Sequence, residues 1–486
     1  MPALLPSDRR ALRALLLLLG FYATGGLVWA GLLLALVIDV ASGKAHALFD
    51  LGCLAALAAL TWAIVPRPGR FEAHGIPLAP TDQASLRAVV QDVARSAGQR
   101  LPSRTYLTLE CNASVTWRGV LGREVLTLGL PILQCLTVDQ LRAAIAHEFG
   151  HLERGNSRLR LWTFRAHNAL ARAAAGFSWS GRSRRPFELL AIRFLRTSQE
   201  VARDHELAAD RFAARIVGAR VLARCLQVLD VIGPAFQVYW TREFLPLLRS
   251  GFRPPLLEGF QRFLVATGSL ATAAPESTRA GDTACRFASH PSLTARLDAL
   301  RGLPEDASTG DAPPARALID DVPEIEARLV ARCIEPLAAR QLRAIAWEDV
   351  GELVWLPTYR RAVAGVRSGL LRGVHPPELA GNARDLLELG RKIDETEGVS
   401  RAPGARALLA RQFLAAALAL ALHVRGYTLR AFPGESPYFD CNGCRVAPDA
   451  IVALLAVGAL APDDWQHQCR ELGIEHLELD QIVDSA

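Results

Sequence analysis

The stretch Ala144-Ile145-Ala146-His147-Glu148-Phe149-Gly150-His151-Leu152 decides how the middle of the chain folds, because it sets two histidines four positions apart. Side chains at i and i+4 of a helix project from one face, so His147 and His151 can bind one metal ion together. Glu148 follows the first histidine and lies beside the metal, where a carboxylate can act as a general base. The spacing therefore predicts a helical zinc site with a base next to it.

The residues around this stretch also predict a helix. Thr137 is a good N-cap and Asp139 falls in the first turn. Gly150 inside the helix costs about 1 kcal/mol relative to alanine, which favours a close approach of another backbone at this position. The alternative is an ordinary amphipathic helix whose two histidines lie in the core or on the surface.

A catalytic zinc site needs a third protein ligand on a second element, and Glu206 is the best candidate. Glu206 and Asp210 are again i and i+4 on a predicted helix, so Glu206 can bind metal while Asp210 hydrogen-bonds the outer nitrogen of a ligating histidine. His205 competes as a ligand but points about 100° away from Glu206. The alternative for Glu206 and Asp210 is a solvated acidic face, which the small apolar residues between them disfavour.

Three blocks in this order resemble the CAAX prenyl endopeptidase family of zinc metallopeptidases, whose bacterial branch includes HtpX-like membrane proteases. The blocks are His147 to His151, Arg203 to Asp210, and His290 to Leu297, with weaker agreement at residues 112–113 and 124–130. The resemblance covers roughly residues 80 to 303.

The resemblance implies roles for particular residues. It assigns His147, His151 and Glu206 as ligands of one Zn²⁺ per chain and Glu148 as the general base. It also implies that His290 lies near the metal, where it caps the site or assists the oxyanion, while Arg296 anchors the following helix.

One feature departs from HtpX-like proteins, which often carry two further membrane spans between the first two blocks. The intervening residues 157–197 contain many arginines, and no run approaches the roughly 20 apolar residues that a span requires. Two interpretations stay open for this segment: amphipathic helices on a membrane surface, or soluble helices with a solvated basic face.

The N-terminus predicts a transmembrane hairpin. Residues 14–38 and 47–65 are apolar stretches, each long enough to cross a hydrocarbon core of about 30 Å, the second only just. The positive-inside rule places both ends of the hairpin in the cytoplasm, because arginines flank it outside and the connecting loop offers only Lys44. We therefore expect an integral protein of the bacterial inner membrane with a cytoplasmic catalytic domain.

Composition agrees with a membrane-associated protein. The formal net charge of the 486 residues is +6 and is carried mostly by arginine, and no nucleic-acid-binding module is present, so lipid head groups explain the basic excess best. Nine cysteines at irregular spacing do not predict a disulfide framework.

Short strands are predicted between the hairpin and the histidine helix, at residues 105–110 and 124–128. Peptidases of this kind bind substrate in extended form along a sheet edge. The second of these strands is our candidate for that edge, with an internal strand as the alternative.

The domain organisation predicted from sequence has four parts: a hairpin at 1–70, a zincin-like metallopeptidase domain at 71–303, a Pro-rich linker at 304–323 and a helical C-terminal domain at 324–486. In the last part, residues 413–424 are very apolar but too short to span a membrane, so they predict a buried core helix. Cys441-Asn442-Gly443-Cys444 predicts a tight turn, with a second zinc site that includes His467 and Cys469 as the weaker alternative.

The fold class expected is therefore mainly α with a small β-sheet. The function expected is that of a membrane-anchored zinc endopeptidase acting on protein or peptide substrates, with a role in membrane-protein quality control. The alternatives are a prenyl-protein processing protease, which the two spans disfavour, and a membrane-tethered scaffold with a structural or latent zinc site, whose C-terminal domain recruits a protein partner.

Overall fold

The computed structural model describes residues 6–43, 46–64, 75–79, 81–118, 123–152, 185–268, 291–305, 312–334, 341–364, 369–441 and 443–485. Helices dominate these residues, as the sequence predicted. In chain order the elements are α1 (Pro6–Ala41), α2 (Ala47–Ile64), β1 (Ile76–Pro77), α3 (Ala84–Ser96), β2 (Arg104–Thr108), β3 (Ala113–Arg118), β4 (Arg123–Gly129), α4 (Leu130–Cys135), α5 (Val138–Gly150), α6 (Arg185–Val217), α7 (Ala219–Val238), α8 (Leu245–Arg249), β5 (Phe252–Arg253), α9 (Leu256–Ala266), α10 (Leu293–Leu300), α11 (Val322–Cys333), β6 (Arg343–Ala344), α12 (Leu356–Val363), α13 (Leu379–Arg384), α14 (Leu386–Glu397), α15 (Pro403–Val424), β7 (Thr428–Arg430), β8 (Tyr438–Cys441), β9 (Cys444–Val446), α16 (Pro448–Ala456), α17 (Pro462–Glu471) and α18 (Leu479–Ser485).

The chain folds as two compact units. The first consists of residues 1–233 and 273–329, and the second of residues 234–272 and 330–486. This grouping differs from the boundaries expected from sequence, because residues 234–272 join the C-terminal part. Within the first unit, part of the predicted linker is packed: Ala315 is fully buried and its N–H donates to the Leu136 carbonyl at 2.8 Å.

Helix α1 contains a stretch that is long and apolar enough to cross a membrane, whereas α2 holds a shorter apolar stretch, Ala47–Trp62. α1 packs against α2 and α6, and Trp29 Nε1 donates a hydrogen bond to Thr61 Oγ1 at 3.0 Å. Large apolar side chains on their outer faces are exposed, among them Leu27 at 74% and Leu48 at 88%. By length and composition, three helical stretches of the described residues can cross a membrane: Tyr22–Ala41, Ala219–Arg249 and Pro403–Val424.

The sheet of the first unit has the strand order β1-β2-β4-β3, with β4 parallel to β2 and antiparallel to β3. The prediction that residues 124–128 form the sheet edge is wrong, because β3 pairs with β4 and lies outside it. Among the described residues no strand covers the outer side of β3. Central and edge strands share the same alternation of side chains, so the position of β4 in the sheet could not be predicted from its residues.

Helix α5 packs against α3, β3 and α6. Gly150 makes the contact with α6 possible: a Cβ placed on it would lie 2.9 Å from Ala209 Cα and 3.1 Å from the Ala209 carbonyl oxygen. The close backbone approach predicted at this glycine is therefore present.

The second unit is built around α15. Every residue from Phe413 to Leu422 is buried, which confirms the predicted core helix, because a helix that is apolar all round needs cover on every side. α12, α14, α16 and α18 pack against it. Asp385 separates α13 from α14: its backbone leaves the helical region and its side chain caps α14.

The Cys441–Cys444 segment is a hairpin. Cys441 and Cys444 are paired residues of β8 and β9, Gly443 has a φ of +87°, and both thiols are free. The predicted turn is present, whereas among the described residues no cluster of metal-binding groups joins these cysteines to His467 or Cys469.

We expect Gly150→Ala to destabilise the protein by about 1–3 kcal/mol, because the new methyl group must push α5 away from α6. Gly233→Ala in α7 is the matched control, since a Cβ there meets no atom within 4 Å. Thermal unfolding of the two variants in detergent measures the difference. Equal melting temperatures would show that α5 and α6 do not need the glycine.

Candidate metal centre

The first turn of α5 is fixed by local hydrogen bonds. Thr137 Oγ1 accepts from the Gln140 N–H, and the Gln140 side chain accepts from the Thr137 N–H at 3.0 Å, which together make a capping box. The Val138 N–H donates to the Pro313 carbonyl at 2.9 Å. These contacts hold the start of the helix whose last turn carries the two histidines.

His147, His151 and Glu206 converge on one point. Glu206 on α6 directs one carboxylate oxygen to His147 Nε2 and the other to His151 Nε2, each at 3.4 Å. One ligand atom from each of the three residues lies within 4.8 Å of the others. His147 and Glu206 are buried, and His151 is half-buried.

The buried carboxylate of Asp210 contacts His147 at the ring nitrogen that does not face Glu206. Asp210, fully buried on α6, places Oδ1 2.9 Å from His147 Nδ1. Arg296 on α10 binds the same carboxylate through two hydrogen bonds, from Nε to Oδ2 at 2.8 Å and from Nη2 to Oδ1 at 2.6 Å. Two cationic or hydrogen-bonding partners thus compensate one buried negative charge, as a buried carboxylate requires.

These contacts shift the pKa values of His147 and Asp210. Burial disfavours a charged imidazole, yet the hydrogen bonds with Asp210 and Glu206 outweigh burial and raise the pKa of His147 to about 9. Burial also works against the charge of Asp210, but hydrogen bonds from Arg296 and His147 prevail and lower its pKa. The carboxylate therefore keeps the negative charge that orients His147.

Glu148 points toward the sheet. Its Oε2 accepts a hydrogen bond from the Val115 main-chain N–H of β3 at 3.1 Å. The carboxylate therefore bonds the main chain of the edge strand, and its charge contributes to the raised pKa of His147.

The donor set fits zinc. Two imidazole nitrogens and one carboxylate are the three protein ligands of a common type of catalytic zinc site, which leaves a fourth position for water or substrate. Asp210 supplies the outer hydrogen bond that fixes a ligating imidazole.

The structure brings together His147, Glu148, His151, Glu206 and Asp210 of the residues singled out from sequence. His290 lies outside the described residues, and so does most of the arginine-rich segment 157–197. Arg296 was expected to anchor the helix that follows the His-Pro block; it lies on that helix, binds Asp210 and also approaches His147 Nδ1 at 3.5 Å. The spacing of Arg296 in the third block was its only signal in the sequence.

We expect Asp210→Asn to weaken zinc binding by about 10–100-fold, because His147 loses its anionic partner and Arg296 is left with an unpaired charge. Asp298→Asn, at an exposed carboxyl on the same helix as Arg296, is the control. Competition with a chelating dye measures both affinities. An unchanged affinity in Asp210→Asn would remove this residue from the support of the site.

Zinc uptake should also release a proton near pH 7. Because the pKa of His147 is raised to about 9, the metal-free imidazole is protonated at that pH, and Nε2 must lose its proton before it binds metal. The apparent zinc affinity is therefore expected to rise from about pH 6 to about pH 8. Titration in a weakly buffered solution with a pH indicator detects the proton; uptake without its release would contradict the charge state assigned to His147.

Comparisons with known proteins place the centre in a family. Residues 80–303 match the model of peptidase family M48. Among solved structures, the chain is similar to the crystal structure of S. mikatae Ste24p, with 16% sequence identity, a TM-score of 0.26, and coverage of 60% of this chain and 67% of that chain. A search of curated proteins gives no match. The assignment rests on the family model, which spans both histidines, Glu206 and Asp210: residues 80–303 form a domain of peptidase family M48, a family of metallopeptidases.

Proposed function

We propose that this protein is a membrane-anchored zinc endopeptidase that hydrolyses peptide bonds of protein substrates. One observation carries the proposal: the Nε2 atoms of His147 and His151 meet the Glu206 carboxylate at one point, and the charge of Glu148 is close enough to act on His147. A purely structural zinc site usually has four protein ligands and needs no base. The scaffold alternative is therefore less well supported.

The residues divide the chemistry among themselves. His147, His151 and Glu206 would hold zinc, which when bound polarises the scissile carbonyl and lowers the pKa of water. Glu148 takes the proton of the attacking water and returns it to the leaving amine. His290 is proposed to stabilise the oxyanion or to cap the site.

Strand β3 supports the binding of an extended peptide. No strand of the described residues pairs with its outer side, where the Val115 N–H bonds the Glu148 carboxylate of α5. An exposed strand offers main-chain groups that recognise any peptide backbone without demanding particular side chains. Such recognition suits an enzyme that acts on many unfolded or damaged proteins, so we propose a role in membrane-protein quality control.

The hairpin α1–α2 is proposed to anchor the enzyme in a bacterial inner membrane. Arg9, Arg10 and Arg13 precede the first span, and Arg67 and Arg70 follow the second. This distribution supports a cytoplasmic active site by the positive-inside rule. Docking of a protein partner on the second unit stays a proposal that rests on its separate core.

Glu148→Gln should retain one zinc per chain and lose peptidase activity by about 10²–10⁴-fold, since an amide cannot accept the proton. Asp139→Asn, which alters another acid on α5, should keep both zinc and activity. Glu206→Ala should lose zinc as well as activity. The measurements are metal content by mass spectrometry and casein cleavage by the detergent-purified full chain.

Two results would contradict these assignments. Cleavage retained by Glu148→Gln would remove the base, and zinc retained at full affinity by Glu206→Ala would remove the ligand. Zinc without cleavage in the wild type would instead favour the membrane-tethered scaffold.

A further inference from the structure

The main-chain groups of β3 alternate in direction. The Gly129 N–H donates to the Asn112 carbonyl at 2.9 Å, and the register continues from Ala113↔Leu128 to Arg118↔Arg123. In an antiparallel pair, hydrogen-bonded and non-hydrogen-bonded residue pairs alternate. Positions 114 and 116 therefore bond to β4, whereas positions 113, 115 and 117 direct their N–H and C=O groups away from it.

Glu148 uses one of these outward N–H groups. The Val115 N–H, which the register directs away from β4, donates to Glu148 Oε2 at 3.1 Å. A glutamate side chain has several rotatable bonds, so a free carboxylate would sample many orientations. The neighbours of Val115 along β3, Ser114 and Thr116, are both paired with β4, so the direction of the Val115 N–H is fixed. It can therefore hold one carboxylate oxygen in a constant place.

We propose that the Val115 main-chain N–H is a positioning group for Glu148, which holds the carboxylate in the orientation needed for proton transfer. This inference rests on the proposed role of Glu148 as the base. Proton transfer requires hydrogen-bond reach between the base and the attacking water, and a misplaced carboxylate loses that reach. The group acts through Glu148 and does not touch substrate.

A peptide that binds along β3 must bond main-chain groups other than the Val115 N–H. Because the Val115 N–H is occupied by Glu148, main-chain bonds to the peptide come from the other outward groups, those of Ala113 and Trp117 and the Val115 carbonyl. Loss of the Val115 N–H should therefore change kcat and leave KM for a peptide substrate unchanged.

Val115→Pro tests the inference, because proline removes the N–H and is tolerated at an edge-strand position whose N–H points outward. We expect kcat to fall by about 10–100-fold, as for other groups that orient a functional side chain, with KM and zinc content unchanged. Val115→Ala trims the side chain but keeps the N–H, so its kcat is the reference against which the loss in Val115→Pro is measured. Thr116→Pro removes an N–H that bonds to β4 and should lower the melting temperature. It is the control for disruption of the strand.

A second variant guards against a proline effect on the strand. Replacement of Val115 by its α-hydroxy acid, introduced by nonsense suppression, exchanges the N–H for an ester oxygen and keeps the side chain. This variant should show the same loss of kcat. If Val115→Pro unfolds, the ester variant alone tests whether the Val115 N–H positions Glu148.

The outcomes are distinguishable. Wild-type kcat in the ester variant would overturn the inference, and so would a rise in KM at constant kcat, since the N–H would then bind substrate. Both results leave the base intact as long as Glu148→Gln is inactive. Cleavage by Glu148→Gln would instead refute the proposed function itself.

Discussion

The close contact between α5 and α6 is the constraint on which the site depends. A single missing Cβ at Gly150 lets the Ala209 backbone approach within van der Waals distance. His147 and Glu206 each lie three residues before this contact on their own helices, and residues i and i+3 of a helix share a face. The approach of the two backbones therefore sets the distance between a histidine pair and a carboxylate that are far apart in sequence.

Compensation of the buried Asp210 charge also holds the site together. Asp210 is a fully buried carboxylate. It is stable there because Arg296 donates two hydrogen bonds to it and His147 Nδ1 lies 2.9 Å from its Oδ1. An unpaired charge at this depth would cost several kcal/mol. Three helices, α5, α6 and α10, are thereby tied to one carboxylate. The third block of the sequence thus contributes to the site through electrostatics as well as through any role of His290.

The parts of the site that could be predicted from sequence are those set by helical periodicity. The spacings of His147 with His151 and of Glu206 with Asp210 are local, and a helix converts each into a shared face. The buried helix within residues 403–424 was predictable for a similar reason, because its composition leaves no polar face.

The features that sequence could not provide depend on contacts between distant segments. β3 was missed as a strand, and the sheet edge was assigned to β4, because pairing order is decided by tertiary packing. The Val115 bond to Glu148 depends on which N–H groups of that strand point outward, and this follows only from the register. Residues 234–272 belong to the second unit although the family model includes them, since their packing partners lie after residue 330.

The metal centre is best tested by identifying the bound metal and its ligands. Zinc K-edge X-ray absorption on the purified full chain reports both. We expect one zinc per chain bound by two imidazole nitrogens and by oxygen ligands, with no sulfur. Sulfur in the first coordination shell, or a protein that takes up no zinc, would contradict it.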